Sequence, residues 1–140
     1  RRENLELEIA ESVAMNSVEE SIASMSAIRT RGVKLSIDDF GTGYSSLSYL
    51  KRFPIDCLKI DKSFVSNIET DSNDAAIANS VVALAKAMDL SVVAEGIEDK
   101  AQLDYLQHIG CDEAQGFLVA RPMPAPEFDI FIASWKGLSE

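Results

Sequence analysis

Five short runs along this chain alternate apolar with polar residues, each carries a charged or amide side chain at or near its C-terminal end, and the segments after them have helical spacing. The predicted strands are Asn4 to Ile9, Val33 to Asp38, Cys57 to Ile60, Ser91 to Glu95 and Glu113 to Gln115. Asn16 or Ser17 can cap a helix bearing Val18, Ile22, Met25 and Ile28, which stops at Gly32. A short helix from Ser45 and Ser46 carries Leu47 and Leu50 and closes at Pro54; others run from Ser63 to Ile68 and from about Asp74 to Met88. Asp99 can cap a helix with Leu103, Leu106 and Ile109, terminated by Gly110, and after three prolines a last helix carries Phe128, Ile130, Phe131 and Trp135. Alternating strand and helix call for parallel strands joined by right-handed crossovers, in an open doubly wound sheet or in a (β/α) barrel. Strands of an open sheet, buried on both faces, read as continuous apolar runs. Several of these runs instead carry polar residues at alternate positions, which suits a barrel lumen that becomes polar toward a site at its C-terminal mouth. A whole barrel takes about 250 residues. With 140 residues and about five strands, the expected fold is α/β, an incomplete (β/α)8 TIM-type barrel of about five parallel β/α units.

Strand parity then selects the candidate site. Glu8, Asp38, Lys59, Glu95 and Gln115 fall on the inward side at the ends of successive strands. In KLSIDDFGTGYSSL, residues 34–47, Asp38 is the last inward strand residue and Asp39 the first of the loop. Adjacent acids repel unless a positive charge stands near them, and a divalent cation is one answer; for the dipeptide alone, a solvated turn is the other. Repetition over five strands favours a site. Carboxylates converging on one lysine form an oxygen-donor set for a hard cation such as Mg²⁺ or Mn²⁺, the equipment for metal-assisted attack of water on a phosphate ester.

Acidic residues outnumber basic ones 23 to 13, a net charge of −10, which argues against a duplex nucleic-acid partner and leaves room for a small phosphorylated ligand held through metal ions. Cys57 and Cys111 have no CxxC spacing and read as buried free thiols of a reducing compartment. His108, the single histidine, reads as a helix C-terminal residue favoured by the dipole. No apolar run reaches membrane-spanning length, so a cytoplasmic domain is expected, which other domains of its parent can anchor to a membrane.

LELEIAES at 5–12, DDFGTGYSSL at 38–47, LKIDKSFV at 58–65, VVAEGIE at 92–98 and CDEAQGFLVARPMP at 111–124 together resemble the EAL domain, the bacterial cyclic di-GMP phosphodiesterase family, in its C-terminal part and over essentially the whole chain. The resemblance implies a (β/α) barrel with one antiparallel strand that hydrolyses cyclic di-GMP to linear pGpG with Mg²⁺ or Mn²⁺. It makes Glu8, Asp38 and Asp39 metal ligands and Lys59 an assistant at the attacking water. It makes Glu95 a general base or metal ligand and Gln115 a polar residue beside the site. Glu11 would support the loop that starts at Asp39, which in the family links the metal site to dimerisation, and Asp61 and Glu98 are further candidates. Ala10 stands where many members have threonine. The Glu-Ala-Leu motif and the asparagine of the following strand, both ligand sources in the family, do not occur here, so residues 1–140 are expected to be one part of a single domain and, by themselves, a poor catalyst. Open strand edges lead to an expected homodimer or strand-exchanged oligomer. A cyclic di-GMP receptor that binds without hydrolysis and an oligomerisation module are the alternative functions. Phe117 and Arg121 are candidates to line the nucleotide pocket, but an aromatic in a strand is more often core and an arginine before Pro122 more often structural, so both stay outside the primary site.

Overall fold

The computed structural model describes residues 4–42 and 47–137; the Ser45 and Ser46 start of the short helix lies outside them. In chain order the elements are β1 (Glu6–Ala10), α1 (Glu11–Asn16), α2 (Val18–Arg29), β2 (Lys34–Phe40), α3 (Leu47–Leu50), β3 (Cys57–Ile60), α4 (Lys62–Val65), α5 (Ser72–Ala87), β4 (Ser91–Glu95), α6 (Lys100–Ile109), β5 (Glu113–Gln115) and α7 (Ala125–Ser134). The five strands form one sheet in the order β1-β2-β3-β4-β5, every pair parallel. A doubly wound sheet reverses its strand order at a switch point. This one never reverses, which is barrel winding.

Period-two parity separates the two faces. Leu35, Ile37, Leu58, Ile60, Val92 and Ala94 point toward the helices and are buried to 1% exposure or less. They meet Met25 of α2 and Ala78, Val82 and Ala85 of α5 in one core. The opposite face carries Glu8, Ser36, Asp38, Lys59, Glu95 and Gln115. Two aspartates pin the strand starts: Asp56 accepts the Leu35 N–H at 3.0 Å, and Asp112 accepts the Val92 N–H at 2.8 Å.

Several boundaries differ from the sequence reading. Glu11 opens helix α1, which the sequence reading does not include. Helix α5 starts at Ser72, ahead of the expected start near Asp74, because the Asp71 side chain accepts from the Asn73 and Asp74 N–H groups and caps it. Strand β2 continues through Asp39 to Phe40. Asp99 and Gly110 bound α6 as expected, with a reciprocal capping box between Asp99 and Gln102 and Gly110 at φ 87°. Asp99→Ala is expected to cost about 1 kcal/mol, read as a lower urea midpoint with unchanged slope.

Candidate functional site

Lys59 stands in the middle of β3, the central strand, with its side chain 3% exposed. Parity turns it away from the helices, toward carboxylates on three other strands. Glu8 of β1 approaches its Nζ to 2.6 Å, Asp38 of β2 to 4.0 Å, and Glu95 of β4 pairs with it directly. Burial alone works against the charged ammonium. The hydrogen bonds to Glu8 and Glu95 and the charges of Glu95 and Asp38 outweigh it and raise the Lys59 pKa above the ordinary lysine value. The lysine is therefore a fixed cation and donor.

The β2–β3 register explains the two adjacent aspartates. Ile37 pairs with Leu58 and Phe40 with Ile60, so β2 uses one more residue than β3 across this span. That bulge contains Asp38 and Asp39, and Asp39 takes the left-handed conformation, φ 57°. A regular strand would send Asp39 toward the helices; the bulge lets Phe40 take that side, where it is 4% exposed. Asp38 accepts the Asp39 N–H at 2.9 Å. Asp61, one residue past β3, shares a side-chain hydrogen bond with Asp39. Desolvation, then the charges of Asp38 and Asp61, hold the Asp39 carboxyl above its usual pKa. Desolvation would raise Asp61 too, but hydrogen bonds from the Ser63 hydroxyl and the Ser63 and Lys62 N–H groups, with the one to Asp39, bring it below its ordinary value.

Glu11, 3% exposed, lies behind this turn, and its Oε2 accepts the Gly41 N–H at 3.0 Å. Gly41 has φ 97°, and a Cβ there would meet the Phe64 ring at 3.3 Å, so this glycine, two residues past the aspartate pair, is held on two sides. Glu11→Ala is expected to cost about 1.5–3 kcal/mol, the range for a hydrogen bond to a charged group, and to speed hydrogen exchange at the Gly41 amide.

Gln115 ends β5 and borders a hollow of about 490 Å³ that it shares with Glu6, Glu8 and Lys59. Glu98, exposed beyond β4, borders a second hollow of about 230 Å³ together with Glu95, Gln115, Lys62 and Phe117. Glu8, Asp38, Lys59 and Glu95 thus form one ion-paired cluster, Asp39 and Asp61 adjoin it, and Gln115 and Glu98 stand at its rim. Lys62 is a lining residue missed from sequence, and Phe117 is one left outside the primary site. Phe117, read as core, is 49% exposed because β5 ends at Gln115 and the ring lies past the turn at Gly116. Among the described residues no group of three or more His, Cys, Asp or Glu could hold a metal ion as the side chains stand, since Glu8 and Glu95 are drawn onto the ammonium. Cys57 and Cys111 are both free. No helix among the described residues is long and apolar enough to cross a membrane.

Comparison with known proteins places this arrangement. MucR of Pseudomonas aeruginosa, described as a bifunctional diguanylate cyclase/cyclic di-GMP phosphodiesterase, is 49% identical over 124 residues, 89% of this chain and 18% of MucR. This chain therefore spans less than a fifth of that relative's length. A solved structure of the PaMucR phosphodiesterase in complex with c-di-GMP superposes with a TM-score of 0.88 at 48% identity, over 91% of this chain and 51% of that one. Klebsiella pneumoniae BlrP1, solved as a manganese and cyclic di-GMP complex, superposes with a TM-score of 0.80 at 38% identity, over 87% of this chain and 31% of that one. The family model described as EAL domain matches residues 1–122. A barrel-wound sheet whose mouth gathers Glu8, Asp38, Lys59 and Glu95 is thus accompanied by homology over nearly its whole length, and the chain belongs to the EAL domain family.

Proposed function

We propose that this chain supplies part of a metal-dependent phosphodiesterase site that hydrolyses cyclic di-GMP to linear pGpG. The carrying observation is Lys59, a buried ammonium held by carboxylates from three other strands at one point of the sheet. The descriptions of MucR and of the PaMucR complex support the substrate.

Glu8, Asp38, Asp39 and Glu95 are the residues to hold divalent cations, Mg²⁺ or Mn²⁺. Their fit rests on donor chemistry: hard oxygens, with acids crowded around Asp39 that raise its pKa and lack a full counter-charge. The manganese complex of BlrP1 supports a divalent ion. Bound cations supply Lewis-acid polarisation of the phosphate and acidification of water. Lys59 stays protonated, so it donates a hydrogen bond to the incoming water or to the equatorial oxygens and takes no proton. Glu95, at its side, is the group to accept the proton of water. Water adds to phosphorus, the bond from phosphorus to the 3′ oxygen breaks, and that oxygen leaves with a proton. Gln115 orients the phosphate from the rim, Glu11 holds the Asp39 turn, and Asp61 and Glu98 support the metal side and the rim respectively.

One observation favours a second reading. The absence, among the described residues, of a ready metal-holding group fits a cyclic di-GMP receptor that binds without cleavage. Incubation of cyclic di-GMP with the polypeptide carrying these residues, with Mg²⁺, Mn²⁺ or chelator, separates the readings. Linear product that disappears with chelator supports the enzyme; binding without product supports the receptor; neither sinks both. Residues 1–140 alone are expected to be slow, because they span 51% of the PaMucR chain to which they are similar. The free thiols suit a reducing cytoplasm. Exposed Leu5 just before β1 and Leu7 within it, and Phe128, Ile130 and Ile132 on α7, support association between copies, which light scattering over a concentration series checks.

A further inference from the structure

Gln102 of α6 is a buried polar residue, 7% exposed, that the site described above does not use. A buried amide is stable only when it is bonded, and this one uses both of its ends. Its Oε1 accepts the Glu98 N–H at 2.8 Å and the Asp99 N–H at 3.4 Å, and its Nε2 donates to the Ser66 carbonyl, just past α4, at 3.4 Å. The capping box of α6 needs only the Asp99 bond. The shorter bond, to Glu98, reaches one residue further, into the loop after β4. That loop is gripped residue by residue. Gly96, at φ 71°, has the Lys62 Cβ of α4 where its own Cβ would stand. Ile97 donates to the Gln115 carbonyl at 3.2 Å and accepts the Leu118 N–H at 3.0 Å, and Glu98 is held by Gln102. The three residues that follow Glu95 are thus tied in turn to α4, to the end of β5 and to α6.

We propose that Gln102 is a positioning residue for hydrolysis: by fixing the Glu98 amide it sets the path of residues 96–98, and with it the placement of Glu95 before that segment and of Gln115 beside it. The inference rests on the phosphodiesterase reading above and adds a residue that acts through Glu95 and Gln115 and not on the substrate itself. Gln102 does for the loop after β4 what Glu11 does for the loop after β2. Each is a buried side-chain oxygen that accepts one loop N–H, from Glu98 and from Gly41 respectively. The Glu95 side chain is 21% exposed and pairs with Lys59, so its aim depends on where its backbone is held. Without the Gln102 oxygen the Glu98 N–H must turn to water, and the segment behind Glu95 moves with it.

The test compares two substitutions in the same capping box, in whatever length of this polypeptide cleaves cyclic di-GMP. Gln102→Leu keeps the size of the side chain and removes its bonds to Glu98, Asp99 and Ser66. Asp99→Ala removes the other half of the box, the bond from the Gln102 N–H to Asp99 at 2.9 Å, and leaves the one to Glu98. Both should lower the urea midpoint. Only Gln102→Leu should lower kcat, by about 10- to 100-fold, the range for losing an outer partner of a site residue, with KM for cyclic di-GMP little changed. Gln102→Glu keeps an acceptor oxygen toward Glu98 and should recover most of kcat. In the unaltered protein the Glu98 amide should exchange its hydrogen slowly although the residue is exposed, a measurement that needs no variant to fold. Fast exchange there, an unchanged kcat in folded Gln102→Leu, or an equal loss of kcat in Asp99→Ala would make Gln102 a cap of α6 and no more. Any of these overturns the proposal and leaves the phosphodiesterase reading intact. If the unaltered polypeptide does not cleave cyclic di-GMP, that reading fails and this proposal with it.

Discussion

Lys59→Met is expected to reduce the proposed cyclic di-GMP hydrolysis by about 10²–10³-fold, the scale for removing one preorganised donor to developing charge. The methionine keeps most of the packing volume and removes only the ammonium, so Glu8, Asp38 and Glu95 lose the charge they converge on. Stability should fall by about 1–3 kcal/mol. That is less than for a wholly buried pair, because the three carboxylates are 50%, 27% and 21% exposed and water partly re-solvates them. The pH dependence has a definite sign. Lys59 has a raised pKa in the folded chain, so its contribution is complete below the ordinary lysine value near 10.4 and fades as pH rises through the raised one. Urea midpoints of the wild type and Lys59→Met should therefore differ most at neutral pH and converge in strong alkali. A rate loss under tenfold would show that Lys59 serves the fold and leaves the chemistry to others.

Gly116→Ala is the substitution with the largest expected effect on folding, about 3 kcal/mol or more. A Cβ at this position would press into the backbone of Ile97, against its nitrogen, its oxygen and its carbonyl carbon, the last at 2.7 Å. Backbone does not swing aside as the end of a side chain does. Moving it also breaks the bonds that join the two segments, from Ile97 N–H to the Gln115 carbonyl at 3.2 Å and from Leu118 N–H to the Ile97 carbonyl at 3.0 Å. Gly32→Ala provides the contrast. Gly32 has φ 79° but open space around a built Cβ, so only the conformational penalty of about 1 kcal/mol applies. The two urea midpoints should differ accordingly, and equal costs would show that the Gly116–Ile97 contact relaxes freely.

The strands were legible because their signal is local and repeated. A period of two placed Glu8, Asp38, Lys59, Glu95 and Gln115 on one face, and the ion pairs of Lys59 with Glu8, Asp38 and Glu95 come from that period alone. Helix α6 was legible for a similar reason, since Asp99 and Gly110 are strong local punctuation. What stayed hidden depended on partners distant in sequence. The extra residue of β2 is visible only against β3, so nothing within IDDF marks it. Glu11 is buried because Gly41, 30 residues away, donates to it. Helix α1 has no side-chain cap bond to advertise its start. Phe117 looked like core because aromatics usually are, and its exposure follows from a strand that stops two residues earlier.

The bulge in β2 separates what the fold requires from what the site requires. Ile37 and Phe40 both face the helices, and between them a regular strand has room for a single residue. The chain holds two. Asp39 is thus a supernumerary position, and its loss would bring Ile37 and Phe40 back into ordinary alternation with their packing retained. Deleting Asp39 is therefore expected to leave the sheet and its helix-facing core in place while removing one carboxylate from the cluster, one that the proposed function assigns to a metal ion.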